Sequence, residues 1–301
     1  HIYPGGFLTY GKTDVISDEY LEGQGKTKTA INRLVFAALP DEKTVIGMQY
    51  ATSSIHNYYE SIKGLNLNIP NDLYNGNIRD YYYNGGNQSL KGPSGEERIW
   101  RSNTNWLNVG NCMGILKIYG DNEITVYSPG RRQIGTNDTV RGYGLGFMHA
   151  DQICFPFIKN SGGILPGTVL YDIGYVIRAG ETAAETARFA AEGRIRKLEA
   201  FCNTQANQVC DNIRVILVSD DYENDYVLAF NITDNEVEAK IALPERCASE
   251  ECTSEKYALS YVSCDTSLQV DNAKNEEFTA DSYNEFYIKL DPWAAALLRA
   301  K

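Results

Sequence analysis

Short apolar runs rich in β-branched and aromatic residues recur through most of the chain, and they limit the possible folds more than any other feature. Runs at 33–39 and 44–52 are joined by Pro40-Asp41-Glu42-Lys43, a typical turn composition. After residue 210 the runs follow at short intervals, beginning at Arg214, Tyr226, Glu236, Tyr257, Glu285 and Trp293. Short strands punctuated by turn residues predict an all-β protein built from antiparallel sheets.

Two further features bear on the middle of the chain. Apolar runs at 115–119 and 124–127 are separated by Gly120-Asp121-Asn122-Glu123, which predicts a second hairpin. Residues 60–112 are rich in Asn, Gly and Tyr and show few periodic runs. We expect long surface or functional loops in that stretch.

One segment has the pattern of a helix. Thr182-Ala-Ala-Glu185 is a capping box, and apolar residues then recur at steps of three and four up to Leu198. The spacing predicts a helix over 182–202. We therefore expect a large antiparallel β-sandwich over 1–180, a connecting helix within 181–205 and a smaller C-terminal β-sandwich over 206–301.

The overall composition excludes several classes of protein. The 301 residues include 28 Lys plus Arg and 39 Asp plus Glu, which gives a net charge of −11. This acidic balance argues against a nucleic-acid partner, because such proteins carry a basic surface. A hydrophobic content of 43% excludes an intrinsically disordered chain. No apolar run approaches the roughly 18 residues of a membrane span.

The cysteines indicate an oxidising compartment. Five of the seven follow residue 200, and Cys202 and Cys210 enclose a short polar segment. Closed loops of this kind suit disulfides in a secreted or extracellular protein, although the pairing is left open. The odd number leaves at least one thiol unpaired. Sequons that would mark a glycoprotein, if the source is a secreting eukaryote, lie at Asn87, Asn137 and Asn231.

Two parts of the chain resemble carbohydrate-active enzymes. Residues 226–237 and 290–299 resemble the small C-terminal β-sandwich of many such enzymes. Residues 37–45, 64–72 and 106–111 resemble the β-supersandwich of heparinase- and hyaluronate-lyase-like proteins. The resemblance implies a polysaccharide or oligosaccharide partner and the β-portion of a polysaccharide lyase or glycoside hydrolase. It also implies an upstream helical domain of the same protein. The alternative is a non-catalytic glycan-binding or cell-surface structural module.

Candidate catalytic residues are few. His149 and Asp151 are two apart, so on a strand they would share a face, where a carboxylate could orient a general base. A hydrogen-bonded structural pair is the alternative. Arg131 and Arg132 follow a turn, and their planar guanidinium groups suit carboxylates and sulfates. Ordinary surface ion pairs with Asp or Glu are the alternative, and exposed arginines favour it.

An aromatic cluster in residues 81–106 is the candidate substrate-binding surface. Aromatic faces stack on sugar rings, and neighbouring Asn and Asp side chains can bind hydroxyl groups. Consecutive strand residues alternate between faces, so at least one tyrosine is expected in the core. The candidate residues are Tyr81, Tyr82, Tyr83, Trp100 and Trp106.

Metal and cofactor sites are not expected. The chain has no Cys-x-x-Cys, and no histidine follows His149. A mature N-terminal His1 could chelate copper as in a copper-dependent polysaccharide oxidase. That site needs a second histidine, either His56 or His149, and we regard it as a remote alternative.

Overall fold

The protein is described here by a computed structural model. The described residues are 2–3, 5–17, 27–69, 78–91, 97–120, 123–128, 151–202, 208–222, 224–244, 258–263, 277–279 and 285–300. Within these ranges the chain forms strands and one helix, which confirms the all-β prediction.

The strands up to the helix are β1 (Ile2–Tyr3), β2 (Gly6–Ser17), β3 (Thr27–Ala38), β4 (Thr44–Ser53), β5 (Ser61–Lys63), β6 (Leu67–Ile69), β7 (Ile78–Tyr83), β8 (Gly86–Lys91), β9 (Arg98–Arg101), β10 (Trp106–Val109), β11 (Met113–Tyr119), β12 (Thr125–Ser128), β13 (Asp151–Cys154), β14 (Phe157–Lys159) and β15 (Val169–Ala179). Helix α1 spans Ala183–Ala191. The strands after it are β16 (Ile195–Leu198), β17 (Ala200–Cys202), β18 (Ile213–Ser219), β19 (Asp225–Asn231), β20 (Val237–Ala242), β21 (Ala258–Ser263), β22 (Glu277–Thr279), β23 (Glu285–Leu290) and β24 (Ala295–Ala300).

The chain divides into two compact units. Unit 1 contains residues 1–15, 31–50 and 191–301, and unit 2 contains residues 16–30 and 51–190. This grouping assigns N-terminal residues to the same unit as the C-terminal strands. The division into three consecutive segments predicted from the sequence stays a prediction.

Unit 1 contains a β-sandwich in its C-terminal part. A six-stranded sheet has the order β16-β18-β19-β24-β21-β22, and a three-stranded sheet has the order β17-β20-β23. Apolar side chains of both sheets share one buried cluster, which includes Val227, Leu298, Ile241 and Phe286. Alternating burial along β23 shows that one face of the smaller sheet is turned to this core.

Unit 2 also combines sheets of different size. The strands β15-β11-β10-β7-β8 pair in that order, and a four-stranded sheet has the order β6-β13-β12-β9. Strands β14 and β5 form a separate pair. The prediction of long loops over residues 60–112 is therefore wrong for the described residues, because β5 to β10 lie there. These strands are only three to six residues long, which is too short to give a clear periodic pattern in the sequence.

The second predicted hairpin does not form. Strand β11 pairs with β10 on one side and β15 on the other, so both of its edges are occupied. Strand β12 pairs with β13 and β9 in the four-stranded sheet. The chain leaves the first sheet at Gly120, whose φ of +118° lies in a region that favours glycine.

The helix begins as predicted and ends early. The Thr182 backbone N–H donates to Glu185 at 2.8 Å, and the Glu185 N–H donates to the Thr182 hydroxyl at 3.3 Å. These bonds confirm the capping box. The predicted end at residue 202 is wrong, because Gly193 adopts a φ of +66° and β16 then pairs with β18.

No helix in the described ranges has both the length and the apolar character needed to cross a membrane.

Candidate functional site

The four-stranded sheet of unit 2 ends in a row of side chains that strand pairing brings side by side. Asp151, the first residue of β13, lies opposite Ile69, the last residue of β6. Ser128, the last residue of β12, lies opposite Arg98, the first residue of β9. The antiparallel register of β12 with β13 continues to the next residue of each strand, so Ser128 also lies beside Asp151. The row is therefore Ile69, Asp151, Ser128 and Arg98.

This row belongs to the inner face of the sheet. Residues two apart on a strand share a face, so Trp100 lies on the same face as Arg98. Asp151 and Ser128 are buried, whereas Arg98 and Trp100 are half-buried. Arg101 belongs to the other face and is exposed. The inner face thus grades from a fully buried aspartate to an arginine and a tryptophan that are half-buried as residues.

Strand β7 packs against the inner face through two tyrosines. The Tyr81 hydroxyl donates a hydrogen bond to Oδ2 of Asp151 at 3.0 Å. The ring centroid of Trp100 lies 6.2 Å from that of Tyr81 and 5.3 Å from that of Tyr83, the latter edge to face. Tyr81 is fully buried and Tyr83 is half-buried. Asp151, Tyr81, Tyr83, Arg98 and Trp100 define what we call the Asp151 site.

Hydrogen-bonding groups of the Asp151 site remain unused. Oδ1 of Asp151 is buried and has no hydrogen-bond partner within the described part of the chain. The same holds for Nε and Nη2 of Arg98. Buried polar groups are normally paired, so each unpaired one needs an explanation. Here an unused acceptor and unused donors lie in one row, on strands whose backbones are two strand spacings, or roughly 10 Å, apart across the sheet.

The two unused nitrogens of Arg98 form a fork. Nε and Nη2 lie along one edge of the planar guanidinium, and their N–H bonds are nearly parallel. Such an edge matches the two oxygens of a carboxylate or sulfate in a bidentate hydrogen bond. The buried edge of Arg98 therefore carries the donor pattern that an anion of this kind matches.

The protonation of Tyr81 is fixed by its surroundings. Burial raises its pKa far above the ordinary value of 10.0, and the charge of Asp151 raises it further. Arg79, which lies two residues earlier on the same face of β7, lowers the pKa by a smaller amount. Tyr81 is thus a permanent donor that orients Asp151, and it cannot serve as a base near neutral pH.

The other aromatic candidates lie on the opposite face of β7 and β10. Tyr82 is opposite Asn108, whose side-chain amide donates to the Thr186 hydroxyl of α1 at 2.8 Å. Trp106 shares the face of Asn108 and is only 8% exposed. The structure therefore brings together Tyr81, Tyr83, Trp100 and Asp151, and it separates them from Tyr82 and Trp106.

Three predicted catalytic residues, His149, Arg131 and Arg132, lie outside the described residues, so their roles stay predictions. His1 also lies outside them. His56 is exposed, and its ring centroid lies 5.9 Å from that of Tyr58. No group of three or more His, Cys, Asp and Glu side chains in the described ranges could hold a metal ion.

Arg98 was missed by the reasoning from sequence. The alternation in Arg98-Ile-Trp-Arg101 places its first and third residues on one face and its second and fourth on the other. That pattern links Arg98 to Trp100. It does not reveal Asp151, since the partners of β9 come from distant parts of the chain.

Comparison with known proteins assigns no family. No protein-family model matches the sequence. No curated protein matches it either. Among solved structures, the chain is similar to a Paenibacillus xanthan lyase with a TM-score of 0.40 and 11% sequence identity. The match covers 97% of this chain, which spans 27% of the length of that protein. A similarity at this level does not assign a function.

Proposed function

We propose that the protein binds and processes an acidic saccharide at the Asp151 site, as the β-portion of a polysaccharide lyase or glycoside hydrolase. The observation that carries this proposal is the pair of unused groups in one row, the Arg98 fork and Oδ1 of Asp151. A sugar that bears a carboxylate or sulfate presents an acceptor to the fork, and its hydroxyl groups can donate to Asp151.

The aromatic side chains of the site support the same ligand. Trp100 and Tyr83 are half-buried and lie edge to face at 5.3 Å. Half-buried aromatic rings offer apolar surface to the C–H groups of a sugar ring while their polar atoms remain available.

The chemistry that this arrangement favours is elimination from a uronate. The Arg98 fork would neutralise the carboxylate, which makes the proton on the adjacent carbon easier to remove. Oδ1 of Asp151 would accept that proton, with Tyr81 holding Oδ2. The bond from the next carbon to the glycosidic oxygen would then break, the leaving oxygen would take up a proton from water, and a carbon–carbon double bond conjugated to the carboxylate would remain in the product.

A second candidate function is binding without catalysis. The fork, the carboxylate and the two half-buried rings are sufficient to hold a saccharide even if no proton is transferred. The two functions differ in one measurable product. Elimination creates a conjugated double bond that absorbs ultraviolet light, whereas a binding module leaves the saccharide unchanged.

Calorimetric titration with an oligouronate and a neutral oligosaccharide of equal length tests the proposal. We expect tighter binding of the oligouronate and a loss of about tenfold or more in affinity for it in Arg98→Gln, since hydrogen bonds to charged groups contribute about 1.5–3 kcal/mol. Arg101→Gln is the matched control, because Arg101 lies on the same strand and faces away. Equal binding of the two saccharides, or full affinity in Arg98→Gln, would overturn the acidic specificity.

Ultraviolet absorbance during incubation with the oligouronate separates catalysis from binding. If the protein is a lyase, the absorbance rises with wild type and stays flat with Asp151→Asn, while Asp151→Asn still binds. If wild type binds without any rise, and reducing sugars are not released either, the binding module is the correct function.

A further inference from the structure

Two cysteines of unit 1 lie diagonally across a short antiparallel pairing of residues 200–202 with residues 208–210. Phe201 and Val209 form an antiparallel bridge. The Cys202 N–H donates to the Gln208 carbonyl at 2.9 Å, and the Cys210 N–H donates to the Ala200 carbonyl at 2.7 Å. Cys202 and Cys210 therefore flank the bridge, one on each strand, and both project to the face opposite its side chains.

The two side chains are near enough for Cys210 to influence the pKa of Cys202, and both cysteines are free thiols in this structure. Cys210 is 3% exposed within the core cluster of unit 1, and Cys202 packs against that cluster while remaining partly accessible. Diagonal neighbours of an antiparallel pair have Cα atoms about 7–8 Å apart, so bond formation requires the two backbone segments to move slightly closer together.

The Cys202 thiol does not have the lowered pKa of a catalytic cysteine. The hydrogen bond with Cys210, followed by burial, raises the pKa of Cys202 to about 11. A thiolate is the reactive form in catalysis and metal binding, and here its population at neutral pH is small.

We propose that Cys202 and Cys210 form an intramolecular disulfide when the protein meets a small-molecule disulfide such as oxidised glutathione. The thiolate of the more accessible Cys202 attacks one glutathione sulfur, and the first glutathione leaves as a thiol after taking up a proton. The Cys210 thiolate then attacks the Cys202 sulfur of the mixed disulfide, and the second glutathione leaves. One glutathione S–S bond and two protein S–H bonds become one protein S–S bond and two glutathione thiols.

The proposed bond would stabilise β17, which is an edge strand of the smaller sheet of unit 1. Strand β17 pairs with β20 on one side, where Cys202 lies opposite Ala239. The cross-link would join β17 to residues 208–210 on its other side and would persist in an oxidising compartment. It is independent of the Asp151 site, so it can be tested without any saccharide.

Peptide mapping after incubation with a glutathione redox buffer tests the proposal. We expect the non-reduced digest to contain a peptide that links Cys202 to Cys210 and has lost two hydrogen atoms. The oxidised protein should also unfold at a higher urea concentration than the reduced protein. That difference should vanish in Cys202→Ser, which changes a half-buried position, and should persist in Cys112→Ser, which changes an exposed cysteine of unit 2.

Two results would overturn the proposal. One is that both thiols remain open to alkylation at equilibrium with oxidised glutathione in the folded protein. The other is a linkage of Cys202 or Cys210 to a different cysteine. If Cys202→Ser does not fold, Cys210→Ala replaces it, and the mapping of wild type decides the question by itself.

Discussion

The Tyr81 hydroxyl and the Asp151 carboxylate form a hydrogen bond of 3.0 Å between two fully buried side chains. Tyr81 comes from β7 and Asp151 from the inner face of the four-stranded sheet, so this bond fastens two sheets of unit 2 to each other. The same bond leaves Oδ1 as the carboxylate oxygen of Asp151 that has no hydrogen-bond partner in the described part of the chain.

Removing the Tyr81 hydroxyl should destabilise unit 2. In Tyr81→Phe the ring stays in place while Oδ2 of Asp151 loses its donor, and an unsatisfied buried group costs about 1–3 kcal/mol. Urea unfolding measures the change. Tyr82→Phe is the control, because Tyr82 faces the other side of β7 and should change the free energy of unfolding by less than about 0.5 kcal/mol. Similar effects of the two substitutions would contradict the assigned bond.

Gly114 should not tolerate a side chain. A Cβ atom there would lie 2.5 Å from Oγ1 of Thr186 and 3.2 Å from Oε2 of Glu181. Gly114→Ala would displace Thr186, which accepts a hydrogen bond from Asn108, and we expect a loss of about 1–3 kcal/mol. Chemical denaturation is the measurement. Gly11→Ala is the matched strand control, since a Cβ at Gly11 has no neighbour within 4 Å and should be almost neutral.

The buried pair of Arg178 and Glu181 should show strong energetic coupling. Their Nε and Oε1 atoms are 2.5 Å apart, and both side chains are almost completely buried. Arg178→Met alone leaves a buried carboxylate without its partner and should cost about 3–5 kcal/mol. The double variant with Glu181→Gln should recover part of that loss. Additive effects in this double-mutant cycle would show that the two side chains do not interact.

Asp234 should contribute a pH-dependent stability to unit 1. The hydrogen bond from Lys12 is the main cause that lowers the pKa of Asp234 to about 2 from its ordinary value of 3.8, with Trp293 and Arg33 adding to it. Because the pKa is lower in the folded state, the contribution is complete above pH 3.8 and is lost as the pH falls through about 2.

Asp234→Asn tests this dependence. At pH 7 we expect a loss of about 1 kcal/mol or less, because the carboxylate is half exposed and solvent screens the ion pairs. The difference between wild type and variant should shrink as the pH is lowered from 4 towards 2. Glu60→Gln, at another exposed carboxylate, is the control. A difference that grows with falling pH would contradict the assigned ion pairs.

The sequence predicted the features that depend on contacts between residues close together in the chain. The turn at 40–43 forms because Oδ1 of Asp41 accepts the N–H groups of Lys43 and Thr44 at 3.1 and 2.9 Å. The capping box of α1 is equally local. The β7–β8 hairpin had a signal that the prediction overlooked, since Asn84-Gly85 forms a two-residue turn between Tyr83 and Gly86.

The candidate site could be predicted only in part, because its residues meet through non-local pairing. Asp151, Tyr81 and Trp100 were recognised by residue type. Their association was not, since a strand pattern reveals which residues share a face and not which strand lies beside it. For the same reason, the sequence could not predict that Trp106 lies apart from Trp100.

The order of the four-stranded sheet also has a consequence for the folding kinetics of unit 2. Its strands β6, β9, β12 and β13 are paired across long stretches of sequence, whereas β7 and β8 are joined by a turn of two residues. Closing long loops costs more entropy before any contact is gained, so pairings of high contact order form slowly. We therefore expect the β7–β8 hairpin to be an early nucleus and the row that carries Arg98 and Asp151 to be among the last parts of unit 2 to assemble.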